Sequence, residues 1–287
     1  MGSDDFRRAS LEIWKEMARG WDDRRDAVWD ASSGIGAWLV AALDPQPGET
    51  VLELAAGLGD TGFAAATRLG ERARLICTDF SAPMVDAARR HAPERGVTNA
   101  EFRTMDAERI DLGDDSVDGV LCRWGYMLMA DPGKALRETR RVLRNDGRLA
   151  LSVWGAPERN PWAAVPARAL LEQTGEPPPD PLAPGIFVMA REARTRELLE
   201  GAGFDAERVE EVAMTWRFES LDDYWRFVLD VAGALAMVIR SLPEDGQAAV
   251  RQRVEGDLEP FETANGYELG GVCLNVLARG LPRARQQ

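Results

Sequence analysis

Val51-Leu-Glu-Leu-Ala-Ala-Gly-Leu-Gly-Asp-Thr-Gly62 is a short apolar run that ends in an acid and then breaks into glycines. Gly48-Glu-Thr50 before it is polar, while Val51, Leu52 and Leu54 are strand formers between turn residues, which predicts a buried strand followed by a tight loop. Phe63-Ala-Ala-Ala-Thr-Arg-Leu69 then reads as helix. Strand, glycine loop and helix together form a cradle for a nucleotide cofactor, because glycine lets backbone approach a ligand and a helix start offers unpaired N–H groups.

Two cofactor classes fit such a loop. Gly57-x-Gly59-x-x-Gly62 matches the dinucleotide fingerprint, and Asp79 lies at about the ~20-residue distance expected of a ribose-binding acid. Glu53 tips the balance. An acid ending the strand would repel a pyrophosphate, whereas S-adenosylmethionine brings an ammonium and a sulfonium, for which carboxylates are favourable partners.

Glu53-x-Ala55-x-Gly57-x-Gly59 resembles motif I of the class I S-adenosylmethionine-dependent methyltransferases, usually written Asp/Glu-x-Gly-x-Gly-x-Gly, with Ala55 in place of the first glycine. Later segments keep to the family's order. Arg74-Leu-Ile-Cys-Thr-Asp79 is a second strand whose acid would, by that resemblance, bind the ribose hydroxyls, with Phe80 near the adenine. Ser81-Ala-Pro-Met84 opens a helix with Ser81 as N-cap. Glu101 to Ala107 is a third strand and its exit, where the resemblance places Asp106 on the adenine amino group. Ser116 to Arg123 and Arg148 to Trp154 are the fourth and fifth strands, separated by a helix from Asp131 and a turn at Asn145-Asp-Gly147. The implied fold is α/β and Rossmann-like: seven strands, mostly parallel, with an antiparallel last strand, a helical N-terminal cover and a helical insertion before the last strand. The cofactor set is then Trp21, Glu53, Ala55, Gly57, Gly59, Asp79, Phe80, Met84, Asp106, Ala107, Cys122 and Arg123.

Composition narrows the partners. With 287 residues, 45% of them hydrophobic, the chain can bury one sizeable core, and one domain with insertions is expected. The net charge of -13 argues against nucleic acid, whose phosphates need clustered cations. Lys15 and Lys134 are the only lysines, so there is no Gly-x-x-x-x-Gly-Lys phosphate loop. Cys77, Cys122 and Cys273 lie in apolar strand contexts without paired spacing, which predicts buried thiols, no metal site and no shared arsenic site. No apolar run approaches ~18 residues, so a membrane partner is not expected and the protein reads as cytoplasmic.

The segments divide as an N-terminal helical cover (1–45), a cofactor-binding core (46–155), a proline-rich lid or connector (156–190), a helix and sixth strand (191–218), a helical cap insertion (219–262) and the last strand with its tail (263–287). Trp14 and Trp21 share a helix face, and Ala18-Arg-Gly-Trp21-Asp22 resembles the Ala-x-x-Tyr-Asp segment of quinone-type methyltransferases, in which the aromatic helps cover the cofactor. Tyr224, Trp225, Phe227, Val228 and Val231 recur at helical spacing and predict a pair of helices roofing a pocket. That enclosure favours a small molecule, for which Trp124, Tyr126, Trp154 and Trp225 are the candidate contacts, while Arg123 faces a cofactor carboxylate or an anionic substrate group. The sequence predicts methyl transfer to an oxygen or carbon of a lipophilic, aromatic or quinone-like small molecule. The alternatives are a noncatalytic S-adenosylmethionine-binding protein and an NAD-dependent dehydrogenase. No catalytic residue is singled out: the sole histidine, His91, is expected to face solvent. Oligomeric state, a homodimer included, stays open.

Overall fold

A computed structural model describes residues 2–70 and 73–282, so the end of the predicted tail lies outside the described residues. Two long helices, α1 (Ser3–Asp23) and α2 (Arg25–Leu43), lead into strand β1 (Thr50–Glu53). Helix α3 (Asp60–Leu69), strand β2 (Arg74–Asp79), helix α4 (Ala82–His91) and strand β3 (Ala100–Thr104) complete one half of the sheet. The other half starts with β4 (Val117–Arg123), α5 (Pro132–Val142) and β5 (Leu143–Trp154). It continues through α6 (Pro161–Thr174), α7 (Glu192–Gly201) and β6 (Phe204–Phe218). Three helices follow, α8 (Leu221–Val231), α9 (Ala234–Ser241) and α10 (Glu244–Leu258), and a hairpin of β7 (Glu262–Thr263) and β8 (Gly266–Gly280) ends the fold.

The strand order is β3-β2-β1-β4-β5-β8-β6. Strands β1 to β5 pair in parallel, and β8 runs antiparallel between β5 and β6. From β1 the chain first moves outward to β2 and β3, then returns to lay β4 against the other side of β1. This reversal opens a crevice at the carboxyl ends of β1 and β4, where open α/β sheets bind ligands. Helices α3 and α4 pack against β2, and α5 packs against β5. The apolar runs of β1, β4 and β5 are covered on both faces, as a parallel sheet requires.

Four details differ from the sequence reading. The sheet has eight strands, because the two-residue β7 pairs with the start of β8. The insertion before the last strand holds three helices rather than two, since Gly233, at φ 54, and Pro243 break the pattern twice. The predicted turn at Asn145-Asp-Gly147 is a bulge in β5, whose register jumps from Val117↔Leu143 to Gly119↔Arg148. The Ser81 hydroxyl does not cap α4: it donates to the Trp14 carbonyl and ties α1 to the sheet. Among the described residues no helix is long and apolar enough to cross a membrane, and no His/Cys/Asp/Glu group could hold a metal.

Candidate active site

The loop after β1 is built to leave room. Ala55, Gly57 and Gly59 take left-handed backbone, with φ of 49, 56 and 85°, and a side chain at Gly57 would meet only open space. The chain therefore curls back at the strand end, with Ala56 N donating to the Thr78 carbonyl and Gly59 N to the Ala56 carbonyl (2.9 Å each), and leaves a ligand free to approach at Gly57. Asp79, at the end of β2, fixes that curl. One carboxylate oxygen accepts from Gly57 N (2.9 Å) and the other from Ser81 N (2.8 Å).

Glu53 occupies a different place from the one its sequence position suggests. It is buried beneath the loop, where Oε1 accepts from Gly62 N at 2.9 Å and Oε2 faces the Cys77 thiol. A Cβ on Gly62 would collide with Oε2, so this carboxyl fills the space below the start of α3. Burial pushes Glu53 up to about 8, against the Gly62 N–H that lowers it, and burial likewise raises Asp79 to about 6. Glu53 is thus a support for the loop whose charge is held in reserve, not an open counterion.

Helix α1 lies across the cleft. Ala18, Trp14 and Trp21 form one apolar cluster with Leu58 of the glycine loop and with Met84 and Ala87 of α4, so Trp21 and Met84 share a roof over the loop. Trp21 Nε1 donates to the Val231 carbonyl (3.2 Å), and Arg24 pairs with Asp223 (2.7 Å) and Asp230 (3.0 Å), clamping α1 to α8. At the far end Arg7 pairs with Asp106, whose other oxygen accepts from Glu108 N (2.8 Å). Phe80 is half-buried, and Ala107 and Cys122 are buried. His91 is not solvent-facing: it bridges Asp22 (2.5 Å) and Glu94 (3.0 Å), a tie between α4 and the end of α1.

Across the crevice, Trp124 has φ 60°, a rare conformation for a bulky side chain. The inversion turns its ring back to the side of Arg123, whose guanidinium sits 4.5 Å from the ring centroid. The indole stacks on Trp154 (4.4 Å, 21°) and donates to the Cys273 sulfur (3.2 Å). Trp162, Trp216 and Phe227 extend this pair into an aromatic cluster. Arg123 itself donates to Thr61 Oγ1 (3.1 Å) and Ser32 Oγ (2.8 Å).

Two predicted contacts fall elsewhere. Tyr126 lies in a 3-10 turn that rotates it into the core, where its hydroxyl bonds Thr139 of α5 (2.6 Å). Trp225 is buried on α8 but makes no ring contact with the cluster; its neighbours Tyr224 and Phe227 take that side. The sequence reading also missed Trp162 and Trp216, which sit in no motif, and the buried Arg25–Asp60 pair (2.7 Å) that joins α2 to the start of α3. The three cysteines are buried on β2, β4 and β8, and the sequence context of each had indicated that burial.

Residues 45–174 match the family described as a methyltransferase domain. The uncharacterized methyltransferase YcgJ of Bacillus subtilis (strain 168) is 39% identical over 135 residues, 47% of this chain and 52% of its own length. The demethylmenaquinone methyltransferase of Clavibacter sepedonicus is 35% identical over 123 residues, 42% of this chain and 48% of its own. The chain spans about half the length of the curated relatives it matches. The crystal structure of YcgJ superposes with a TM-score of 0.57 at 20% identity, covering 87% of this chain and 98% of that one. The [4+2]-cyclase SpnF shares the fold as well, with a TM-score of 0.55 at 19% identity over 88% of this chain and 82% of its own.

Proposed function

We propose that this chain, a member of the class I S-adenosylmethionine-dependent methyltransferases, transfers the cofactor's methyl group to an oxygen or carbon of a lipophilic, aromatic or quinone-like small molecule. The observation that carries this is the glycine loop at the β1/β4 crevice, latched by Asp79 and roofed by Trp21 and Met84. The residues fit the cofactor: Gly57 leaves open space where a ligand must approach, and Asp79 and Asp106 flank it at the ends of β2 and β3. In this reading Asp79 takes the ribose hydroxyls, Phe80, Asp106 and Ala107 surround the adenine, and the backbone of 55–59 cradles the methionine end.

When bound, S-adenosylmethionine would supply a methyl group activated by its sulfonium, taken up by an oxygen lone pair or a carbon π pair of the acceptor, with the sulfur keeping the electrons of the broken bond and the acceptor giving up a proton to solvent. The chain's part is to align the acceptor and keep water out. The α1–α8 clamp and the Trp14/Trp21 roof do the second, and the Trp124/Trp154 wall does the first. The name of the Clavibacter relative supports a quinone-like acceptor. Because SpnF shows that this fold also serves a cyclase, binding alone is not a sufficient test. Incubation with S-adenosylmethionine and a panel of phenols and hydroquinones should give a methylated product by mass spectrometry. Cofactor binding with no product from any of them would count against the proposal, and tighter binding of NAD than of S-adenosylmethionine would reject the donor as well.

Acid–base behaviour gives a second check. Glu53 and Asp79 are raised to about 8 and about 6 from 4.5 and 3.8, so the fold holds more protons than the unfolded chain between those limits. Stability without ligand should therefore fall as pH rises through that window and flatten above about 8. A sulfonium favours the ionised carboxyls, so the affinity ratio of S-adenosylmethionine to S-adenosylhomocysteine should grow from pH 6 to 8 and then level. A flat ratio would disconnect both carboxyls from the donor. By contrast His91→Ala, which removes only half-exposed ties, is expected to keep turnover within about threefold; a thousandfold loss would make His91 part of the chemistry.

A further inference from the structure

Helix α1 carries Arg7, Trp14 and Trp21 at intervals of seven residues, which is two turns each time, so the three share one face. That face meets the crevice in the order assigned to the cofactor, from methionine end to ribose to adenine. Trp21 packs with Leu58 of the glycine loop, the Trp14 carbonyl accepts from Ser81 Oγ (3.2 Å) next to Asp79, and Arg7 pairs with Asp106 after β3. The first two contacts are a roof and a tie. The third sets a full charge at the adenine end, where a roof needs none.

Asp106 is held from both sides. Its Oδ1 accepts from Glu108 N (2.8 Å), closing a local turn in which the Asp106 carbonyl accepts from Arg109 N (2.9 Å), and its Oδ2 takes Arg7 Nη2. The side chain still has 24% of its surface exposed, so the carboxylate can be approached. Glu108 adds a second negative group. It is 3% exposed, and its Oε1 accepts from Ala130 N (2.9 Å) and Asp131 N (3.4 Å) before α5. Its Oε2 is buried without a hydrogen-bond partner and has Arg7 Nε at 4.0 Å. A buried carboxylate oxygen without a donor is costly, and a cation beside it offsets the charge. Arg7 therefore serves two carboxylates, and the Asp106 hydrogen bond, against the effect of burial, holds it above the usual guanidinium range. Asp4 pairs with it from the solvent side at 3.6 Å.

We propose that Arg7 is a positioning residue for the cofactor's base: it fixes Asp106 as the acceptor for a purine 6-amino group and so makes the chain reject a purine with a keto oxygen there. The proposal rests on the methyltransferase reading above and adds to it a residue from the N-terminal cover. Firm holding matters because a 6-keto purine carries a ring N–H next to its oxygen. A carboxylate free to turn can shift to that N–H and bind either base, whereas one held at both oxygens stays against the keto oxygen and repels it. Discrimination then depends on how Asp106 is supported and not on its presence alone.

Calorimetry on the full chain with S-adenosylhomocysteine and S-inosylhomocysteine tests this. The wild type should bind the amino compound at least about thirtyfold more tightly than the keto compound. Arg7→Met, which keeps an unbranched stem and removes the guanidinium, should lower that ratio to about threefold or less, and Arg7→Lys should hold it between the two. Two controls separate this from simple fastening of α1. Arg8→Gln removes only an exposed pair with Asp5 and should leave the ratio unchanged. Trp14→Ala takes away cover without touching Asp106 and should weaken both compounds alike. A ratio that survives in Arg7→Met, whether or not both affinities fall, would overturn the proposal, because Arg7 would then only fasten the helix. So would a ratio near one in the wild type, or an Arg7→Met variant that binds S-adenosylhomocysteine more tightly, since Arg7 would then obstruct the base. If the wild-type chain binds neither compound, it is the methyltransferase reading that fails, and the two failures are thereby distinguishable.

Discussion

Asp79→Ala is expected to weaken S-adenosylhomocysteine binding at least about a hundredfold while leaving the chain folded. Two effects combine. A carboxylate that holds a ligand's hydroxyls contributes roughly 1.5–3 kcal/mol for each charge-assisted hydrogen bond, and a factor of ten is about 1.4 kcal/mol. The same carboxylate accepts from Gly57 N and Ser81 N, so its removal also frees the loop that must cradle the ligand. Stability should move less than affinity, because the buried charge whose pKa is raised to about 6 disappears together with the bonds it makes. Asp79→Asn keeps one acceptor and loses the other, and belongs between the alanine variant and the wild type. Calorimetry and thermal melting on the three proteins check this. An alanine variant that binds as tightly as the wild type would remove Asp79 from the cofactor site, and one that merely unfolds would make it structural.

How much of this was legible in the sequence depends on the range over which each feature is decided. The turn after β1 is local: an acid, then Gly57 and Gly59, then a helix, and the structure forms that turn with the left-handed angles glycine permits. The strand ends at Asp79 and Arg123 are local too, and the resemblance to a known family supplied their order. What the residues did not disclose was direction. Glu53 is in the right place, but whether a strand-end carboxyl looks up into the crevice or down under the helix depends on Gly62 leaving it space. Tyr126 follows Trp124 by two positions, which in a strand would put both on one face; the left-handed Trp124 and the 3-10 turn send one over the sheet and the other into the α5 core. Trp is the last residue for which a pattern predicts that backbone.

Gly125→Ala should damage turnover far more than one added methyl group suggests, for a reason that is steric and not conformational. Gly125 has φ -94° and ψ -54°, angles open to any residue. Its missing Cβ, however, would lie 2.6 Å from the Ala55 Cβ and 2.6 Å from the Cys122 Sγ, where the β4 exit presses on the glycine loop across the β1/β4 crevice. Neither neighbour is free to yield, since Ala55 is already in the left-handed region and Cys122 is buried in β4. Overpacking of this kind costs about 1–3 kcal/mol. The functional loss should be larger, about a hundredfold in turnover, because the two loops that must hold donor and acceptor in line are the two being pushed apart. Ala55→Gly supplies the internal control. Alone it should change stability little, since relief of left-handed strain offsets the added freedom of glycine. Combined with Gly125→Ala it removes one of the two collisions and leaves the one with Cys122, so it should recover part of the turnover and not all of it. A double-mutant cycle measures that coupling directly. If Gly125→Ala turns over normally, or if Ala55→Gly restores nothing, then the crevice is looser than this contact implies, and the alignment of donor and acceptor does not depend on how closely β1 and β4 meet.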